Sequence, residues 1–268
     1  MNAEELARIT PAELRSLCRA GRFEGPTSGA ALGYVQANLV VLERAEAQAF
    51  TRFCELNPRP CPLLEVTPPG NPEPERLAPG GDVRTDLPRY RVYQDGVCVD
   101  RPTSIADHWT GECVAFLIGC SFTFEAAMLA AGLPVRHIHQ GCNVPMYRTN
   151  RGCVAAGPFA APLVVSMRPM TPEQAEEAER VTARFPGVHG APVQIGDPQA
   201  LGILDLAAPD YGDAVEIRPG EVPVFWACGV TPMEAVIMAK PKLAITHEPG
   251  HMFVTDRRDE ELREAGPG

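Results

Sequence analysis

Residues 114–139 read VAFLIGCSFTFEAAMLAAGLPVRHIH. Val114–Gly119 is a short apolar run of strand length, closed by the turn Cys120-Ser-Phe-Thr123. An alanine-rich stretch through Ala131 then reads as helix, and Val135–Ile138 as a second strand that ends at His139. Strand, helix and strand in succession are the building unit of an α/β fold.

Residues 222–247, VPVFWACGVTPMEAVIMAKPKLAITH, echo that pattern. An apolar run precedes Cys228. Thr231 follows three positions later, as Thr123 follows Cys120, and His247 lies nineteen positions after Cys228, as His139 does after Cys120. Ala127 and Ala131 match Ala235 and Ala239. Two readings stay open. One is a duplicated strand–helix–strand unit; the other is a chance likeness between two segments of similar patterning. A duplication would set both units around one cleft, because ligands of open α/β sheets bind at the carboxyl ends of strands.

Further strands are expected at Tyr90–Tyr93, Val97–Val99, Leu163–Met167, Val222–Trp226 and Leu243–Thr246. Thr10-Pro-Ala-Glu13, Thr171-Pro-Glu-Gln174 and Thr231-Pro-Met-Glu234 each offer Thr at N-cap, Pro at N1 and an acid or amide at N3, so each should open a helix. Gln36–Cys54 also reads as helix, with Leu39, Leu42, Phe50 and Phe53 apolar. The expected fold is α/β: mixed sheets flanked by helices, with some parallel pairing. Asn57–Gly80 is too rich in proline for regular helix. It reads as an irregular excursion packed on the body, in preference to a linker, so residues 1–268 are expected to form a single domain.

The bulk numbers exclude several classes. A formal net charge of -10 argues against a nucleic-acid partner. Apolar runs are far shorter than the roughly 20 residues of a membrane span, and Met1–Thr10 lacks the apolar core of a secretory signal. Nine cysteines without a Cys-x-x-Cys pair fit a reducing compartment, so a cytoplasmic protein is expected. Neither G-x-G-x-x-G nor Walker A occurs, so no nucleotide cofactor is expected, and none of any other kind.

Candidate chemistry clusters at the two cysteine turns and the segments after their histidines. Ser121 and Thr123 lie where backbone N–H groups at a helix start can hold an anion. Glu125, in the first turn, is a candidate acid or base, or simply an acid that favours the helix dipole. Cys120 is a nucleophile if its pKa is lowered, and otherwise a buried thiol. Asn143, Tyr147 and Arg148 fall in a polar loop, where an arginine fork could take a carboxylate. His247-Glu-Pro-Gly-His251 cannot form the helix of a metalloprotease motif, but its histidines can serve as acid or base. On a strand, His137 and His139 would share a face, and with Cys142 or His251 they give a zinc alternative.

The chain also resembles a known family. Gly33-Tyr-Val-Gln-Ala-Asn38, Asn57-Pro-Arg-Pro-Cys-Pro-Leu-Leu-Glu-Val66, Phe116-Leu-Ile-Gly-Cys-Ser-Phe122, Asn143-Val-Pro-Met-Tyr-Arg-Thr-Asn150 and Ile245-Thr-His-Glu-Pro-Gly-His-Met-Phe253 carry the likeness, in order along almost the whole chain. They resemble the D-glutamate cyclase family, whose bacterial members bear hydro-lyase names. The resemblance implies cyclisation of D-glutamate to 5-oxo-D-proline with loss of water. For that reaction we assign Arg148 and Asn143 to the carboxylate, with Tyr147 beside them. His247 or His251 becomes the base, Glu125 the acid, and Ser121 with Thr123 the oxyanion donors. The expected partner is a small carboxylate, the expected assembly a homo-oligomer. The alternatives are a hydro-lyase for another small acid, metal-assisted or not, and a non-catalytic binding protein for 5-oxoproline or an amino acid.

Overall fold

The structure, a computed structural model, describes residues 2–264. The chain opens with helices α1 (Ala3–Arg8) and α2 (Pro11–Arg19), then strand β1 (Tyr34–Glu43), helix α3 (Arg44–Leu56), and strands β2 (Leu63–Val66), β3 (Tyr90–Gln94), β4 (Val97–Asp100) and β5 (Cys113–Gly119). Helices α4 (Glu125–Ala130) and α5 (Arg136–Gln140) lead to β6 (Met146–Gly152), β7 (Pro162–Met170), α6 (Pro172–Thr182), β8 (Gln194–Ile195) and β9 (Val222–Ala227). Helix α7 (Thr231–Ala239), β10 (Ala244–His247) and β11 (Phe253–Arg258) follow.

Two mixed-order sheets flanked by helices make this an α/β fold. The larger has seven strands in the order β2-β5-β1-β10-β3-β4, with β11 also paired to β1. The smaller runs β6-β7-β9-β8. Every strand pairing among the described residues is antiparallel, which corrects the expected parallel pairing. The reason is where the helices lead. The β5–α4–α5–β6 path leaves the large sheet for the small one, and β9–α7–β10 returns. Parallel neighbours need a crossover within one sheet; these helices cross between sheets, and α3 and α6, which stay within one, deliver β2 beside β5 and β8 beside β9 instead of next to the strand they left.

Strand β1 is the spine of the large sheet and is buried along nearly its whole length. It pairs with β5 from Ala37 to Glu43. On its other edge it pairs with β10 at Val40–Leu42 and with β11 at Tyr34–Ala37. The expected helix over Gln36–Cys54 is therefore half wrong. Leu39-Val-Val-Leu42 is apolar toward both faces, as a covered strand requires, and only Arg44 onward is helical. Helix α3 then lays Phe50 against Phe116 and Phe159, with ring centroids 4.8 and 5.1 Å apart. Each such ring contributes roughly 1.5–3 kcal/mol by leaving water. The opposite face is closed by Leu77, Val83 and Leu87 from the irregular stretch after β2. The proline-rich segment thus packs on the body and gives β2 to the edge of the sheet.

Val135–Ile138, expected as strand, lies at the start of the short helix α5. A run so short carries no decisive periodicity. Arg136 reaches Glu216 and Glu221 and His137 reaches Glu125, and Gly141, in the left-handed conformation at the C-cap, ends the helix. The first half of the sequence echo therefore ends in a helix and the second in a strand. Two of the three expected capping boxes form, at Thr10 and Thr171. The third does not. Thr231 lies inside α7, and its hydroxyl is bound to the Val164 backbone at 3.0 Å.

Candidate active site

Four segments bring polar side chains to one buried point beside the junction of the sheets. The turn after β5 supplies Ser121 and, at the start of α4, Glu125. Helix α5 supplies His137. Strand β7 supplies Ser166 and Arg168, two apart and so on one face. The Gly25–Ala30 loop supplies Ser28, and Gln36 fixes that loop by donating from Nε2 to the carbonyls of Thr27 and Ala30. Apart from Ser28, which is half-buried, these side chains are buried.

Arg168 donates to Glu125 Oε1 from Nη2 at 2.6 Å and to the hydroxyls of Ser121 and Ser166 at 3.2 Å each. Its guanidinium lies 5.5 and 5.3 Å from the ring centroids of Phe124 and Trp226, a geometry that suits a desolvated cation. His137 Nε2 lies 3.0 Å from Glu125 Oε1 and 3.0 Å from Ser28 Oγ. Ser28 in turn donates to Glu125 Oε2 at 3.0 Å.

Burial alone would raise the Glu125 carboxyl. The charges and hydrogen bonds of His137 and Arg168 outweigh burial and hold it below the usual carboxylate range. His137 is pushed down by its own burial, against the pull of Glu125. Arg168, charged at every ordinary pH, keeps Glu125 ionised whichever state the imidazole takes. An ionised carboxylate only accepts, so Nε2 of His137 carries the proton.

A cavity of about 330 Å³ opens onto this cluster. Ser28 and His137 lie in its lining, beside Leu6, Phe23, Leu32 and Ile138. The backbone N–H groups of Ser28 and of Gly29, which also lines the cavity, have no hydrogen-bond partner among the described residues.

Of the residues expected from sequence, Glu125 and Ser121 are in this cluster. Thr123 is one turn away and exchanges hydrogen bonds with the Gln36 backbone. Cys120 is buried, and desolvation drives its thiol far up, so the turn holds no activated thiolate. His247 Nδ1 lies 3.2 Å from both the N–H and the carbonyl of Leu39, and the ring is buried. It stands where the edge of β1 passes from β10 to β11, in place of a ladder partner. Burial lowers its pKa to about 4. His251 bonds the Pro249 carbonyl at 3.1 Å, and burial lowers it as well.

The segment expected as a polar loop is strand β6 and its approach, and its side chains fasten neighbouring segments. Tyr147 donates to the Leu206 carbonyl at 2.8 Å. Arg148 spends its fork on Asp210 and Glu234 at 2.8 Å each and lies over the Tyr211 ring. Asn143 donates to the Pro249 carbonyl at 2.9 Å and lies against Gly250, where a β-carbon would come within 2.3 Å of its amide oxygen. None of these three bonds the Glu125 cluster. His137 and His139 occupy a helix, not a strand, so one is buried and the other exposed. That removes the shared face on which the zinc alternative stood. Among the described residues no three His, Cys, Asp or Glu side chains gather as a metal site.

Sequence reasoning missed Ser28, His137 in this role, and Arg168. One signal existed: in Leu163-Val-Val-Ser-Met-Arg-Pro-Met170, Ser166 and Arg168 are polar at alternating positions of an otherwise apolar strand. That pattern marks a buried polar face. Nothing local marks Ser28, whose partners are about a hundred residues away.

Known proteins match the chain along these same residues. A family described as D-glutamate cyclase matches residues 114–256, the span that holds Glu125, His137 and Arg168. A relative from Stutzerimonas stutzeri strain A1501, described as "putative hydro-lyase", is 57% identical over 262 residues, covering 98% of this chain and 99% of the relative. One from Rubrobacter xylanophilus with the same description is 60% identical over 250 residues, covering 93% and 96%. No helix among the described residues is long and apolar enough to cross a membrane.

Proposed function

The chain belongs to the D-glutamate cyclase family, and from that premise we propose that it is a hydro-lyase closing D-glutamate to 5-oxo-D-proline with loss of water, or the reverse, at the Ser28 end of the cavity. The observation that carries this reading is the buried Ser28–His137–Glu125–Arg168 network, which meets the cavity through a hydroxyl and an imidazole.

Ring closure joins the substrate's amine to its own side-chain carboxyl carbon. The ammonium must give up two protons, and both leave with a carboxylate oxygen as water. Ser28 can pass a proton from the amine to Glu125, because its own proton already points to Oε2. Arg168 keeps Glu125 ionised until that proton arrives. The same path run backward returns the proton to the departing oxygen. His137 holds the hydroxyl and the carboxylate in register through its Nε2 proton. The free N–H groups of Ser28 and Gly29 suit the α-carboxylate, as successive backbone donors suit anions generally. A folded substrate held in this way gains from orientation, which is worth up to ~7–11 kcal/mol in a well-placed intramolecular reaction.

The test is direct. The purified protein is incubated separately with D- and L-glutamate, and with 5-oxo-D-proline for the reverse direction, and 5-oxoproline is followed by proton NMR with a chelator control. Turnover confined to the D compounds and unmoved by chelator is the expected result. No turnover in either direction would leave the family membership standing and remove this reaction.

A further inference from the structure

The cavity beyond Ser28 and His137 is built for something glutamate lacks. Among the described residues its lining contains no Lys, Arg, Asp or Glu. Leu6, Ala7, Phe23, Leu32 and Ile138 give it an apolar wall. That wall is fixed in place: the last carbonyls of α1, at Leu6 and Ala7, accept from the N–H groups of Ala31 and Leu32 at 2.9 and 3.0 Å. At about 330 Å³ the space lies at the lower end of cavities that enclose ligands much larger than an amino acid. Free glutamate brings two carboxylates. The unpartnered amides of Ser28 and Gly29 can take one. The other, as the reacting group, lies at the Ser28 and His137 end, and nothing on free glutamate fills the apolar wall.

We propose that the site also closes D-glutamate whose side-chain carboxyl is an amide of an apolar primary amine, releasing that amine in place of water. This rests on the ring closure and the location proposed above. The chemistry balances without a further reactant. The α-nitrogen bonds to the side-chain carbonyl carbon, and the bond from that carbon to the amide nitrogen breaks. The two protons lost by the ammonium go to the departing nitrogen. It leaves as an alkylammonium ion, and 5-oxo-D-proline remains. The alkyl group of such an amide supplies apolar surface that the wall can cover.

The experiment compares D-glutamate with its γ-methylamide, γ-propylamide and γ-butylamide, with 5-oxoproline and free amine both measured by NMR. Each methylene that leaves water is worth about fourfold, so kcat/KM should climb tenfold or more from methylamide to butylamide. Leu6→Gln should flatten that slope. Closure of D-glutamate without amine release from any amide would overturn this proposal and spare the reaction above. Amide turnover with no dependence on chain length would also overturn it, because the wall would not then hold the amine. Failure of D-glutamate and all amides would remove both readings together.

Discussion

Arg168 and Glu125 are wholly buried and bonded to one another, so each is tolerable only while the other is present. Replacing such a pair with apolar groups is often neutral, whereas removing one partner strands a charge and typically costs about 3–5 kcal/mol. Arg168→Met is therefore expected to destabilise by about that amount in urea unfolding. The double variant Arg168→Met/Glu125→Leu should recover most of the loss. Equal losses in both would show that packing of the guanidinium between Phe124 and Trp226, not its charge, is what matters. Ser28 behaves differently because it is half-buried and faces the cavity. Ser28→Ala should lower kcat by about 10²–10⁴-fold, the usual contribution of a proton-transfer group, while the unfolding midpoint barely moves. An unchanged kcat would take Ser28 out of the proton path. At this scale the sequence shows Glu125, because an acid at a strand-to-helix turn is conspicuous. It hides Ser28, whose meaning lies in contacts that only the folded chain makes, and it shows Arg168 only as half of a polar alternation with Ser166, without its partners.

Helix starts were the most legible elements, and the one misreading among them is instructive. Thr10 and Thr171 accept from the third helical N–H and complete their boxes with Glu13 and Gln174. At Thr231-Pro-Met-Glu234 both box partners are engaged elsewhere: the hydroxyl at Val164, the carboxylate at Arg148 and Tyr211. Removing these hydroxyls should therefore have different consequences. Thr171→Ala loses a surface cap and should cost about 1 kcal/mol. Thr231→Val leaves the buried Val164 N–H unpaired and should cost more, about 1–3 kcal/mol. Urea unfolding of both variants ranks them, and a larger loss at Thr171 would mean that Val164 finds another acceptor. The strands were legible where turns bounded them. Strand β1 was not, because it runs into α3 without a break. Only its continuous apolar centre, with β-branched Val40 and Val41, separates it from the helix that follows.

At the scale of the whole molecule, sequence could supply the alternation of strands and helices but not which sheet each strand joins. That depends on pairings such as β1 with β10, about two hundred residues apart. The same long-range packing encloses His189 and His247, both fully buried, with pKa values that burial lowers to about 4. In the unfolded chain these groups titrate near 6.5. Above that value both states carry neutral imidazoles, and the folded state loses nothing. As pH falls from about 6.5 to about 4 the unfolded chain takes up protons that the folded chain refuses, so stability falls. Each histidine can account for about 3 kcal/mol across that window. Glu125 acts in the same direction at lower pH. Its depressed pKa adds stability above the ordinary carboxylate value, and that stability is lost as pH drops through the folded value. Urea unfolding free energies measured from pH 7 to pH 4 should therefore fall continuously, with about two protons of slope from His189 and His247 and a further part from His137 and His251, which burial also lowers. His247→Asn places an amide where Nδ1 stands and can still pair with the Leu39 backbone, and it should reduce that slope by about one proton. A profile flat between pH 7 and pH 5 would mean that the buried imidazoles take up their protons in the folded chain as readily as in the unfolded one.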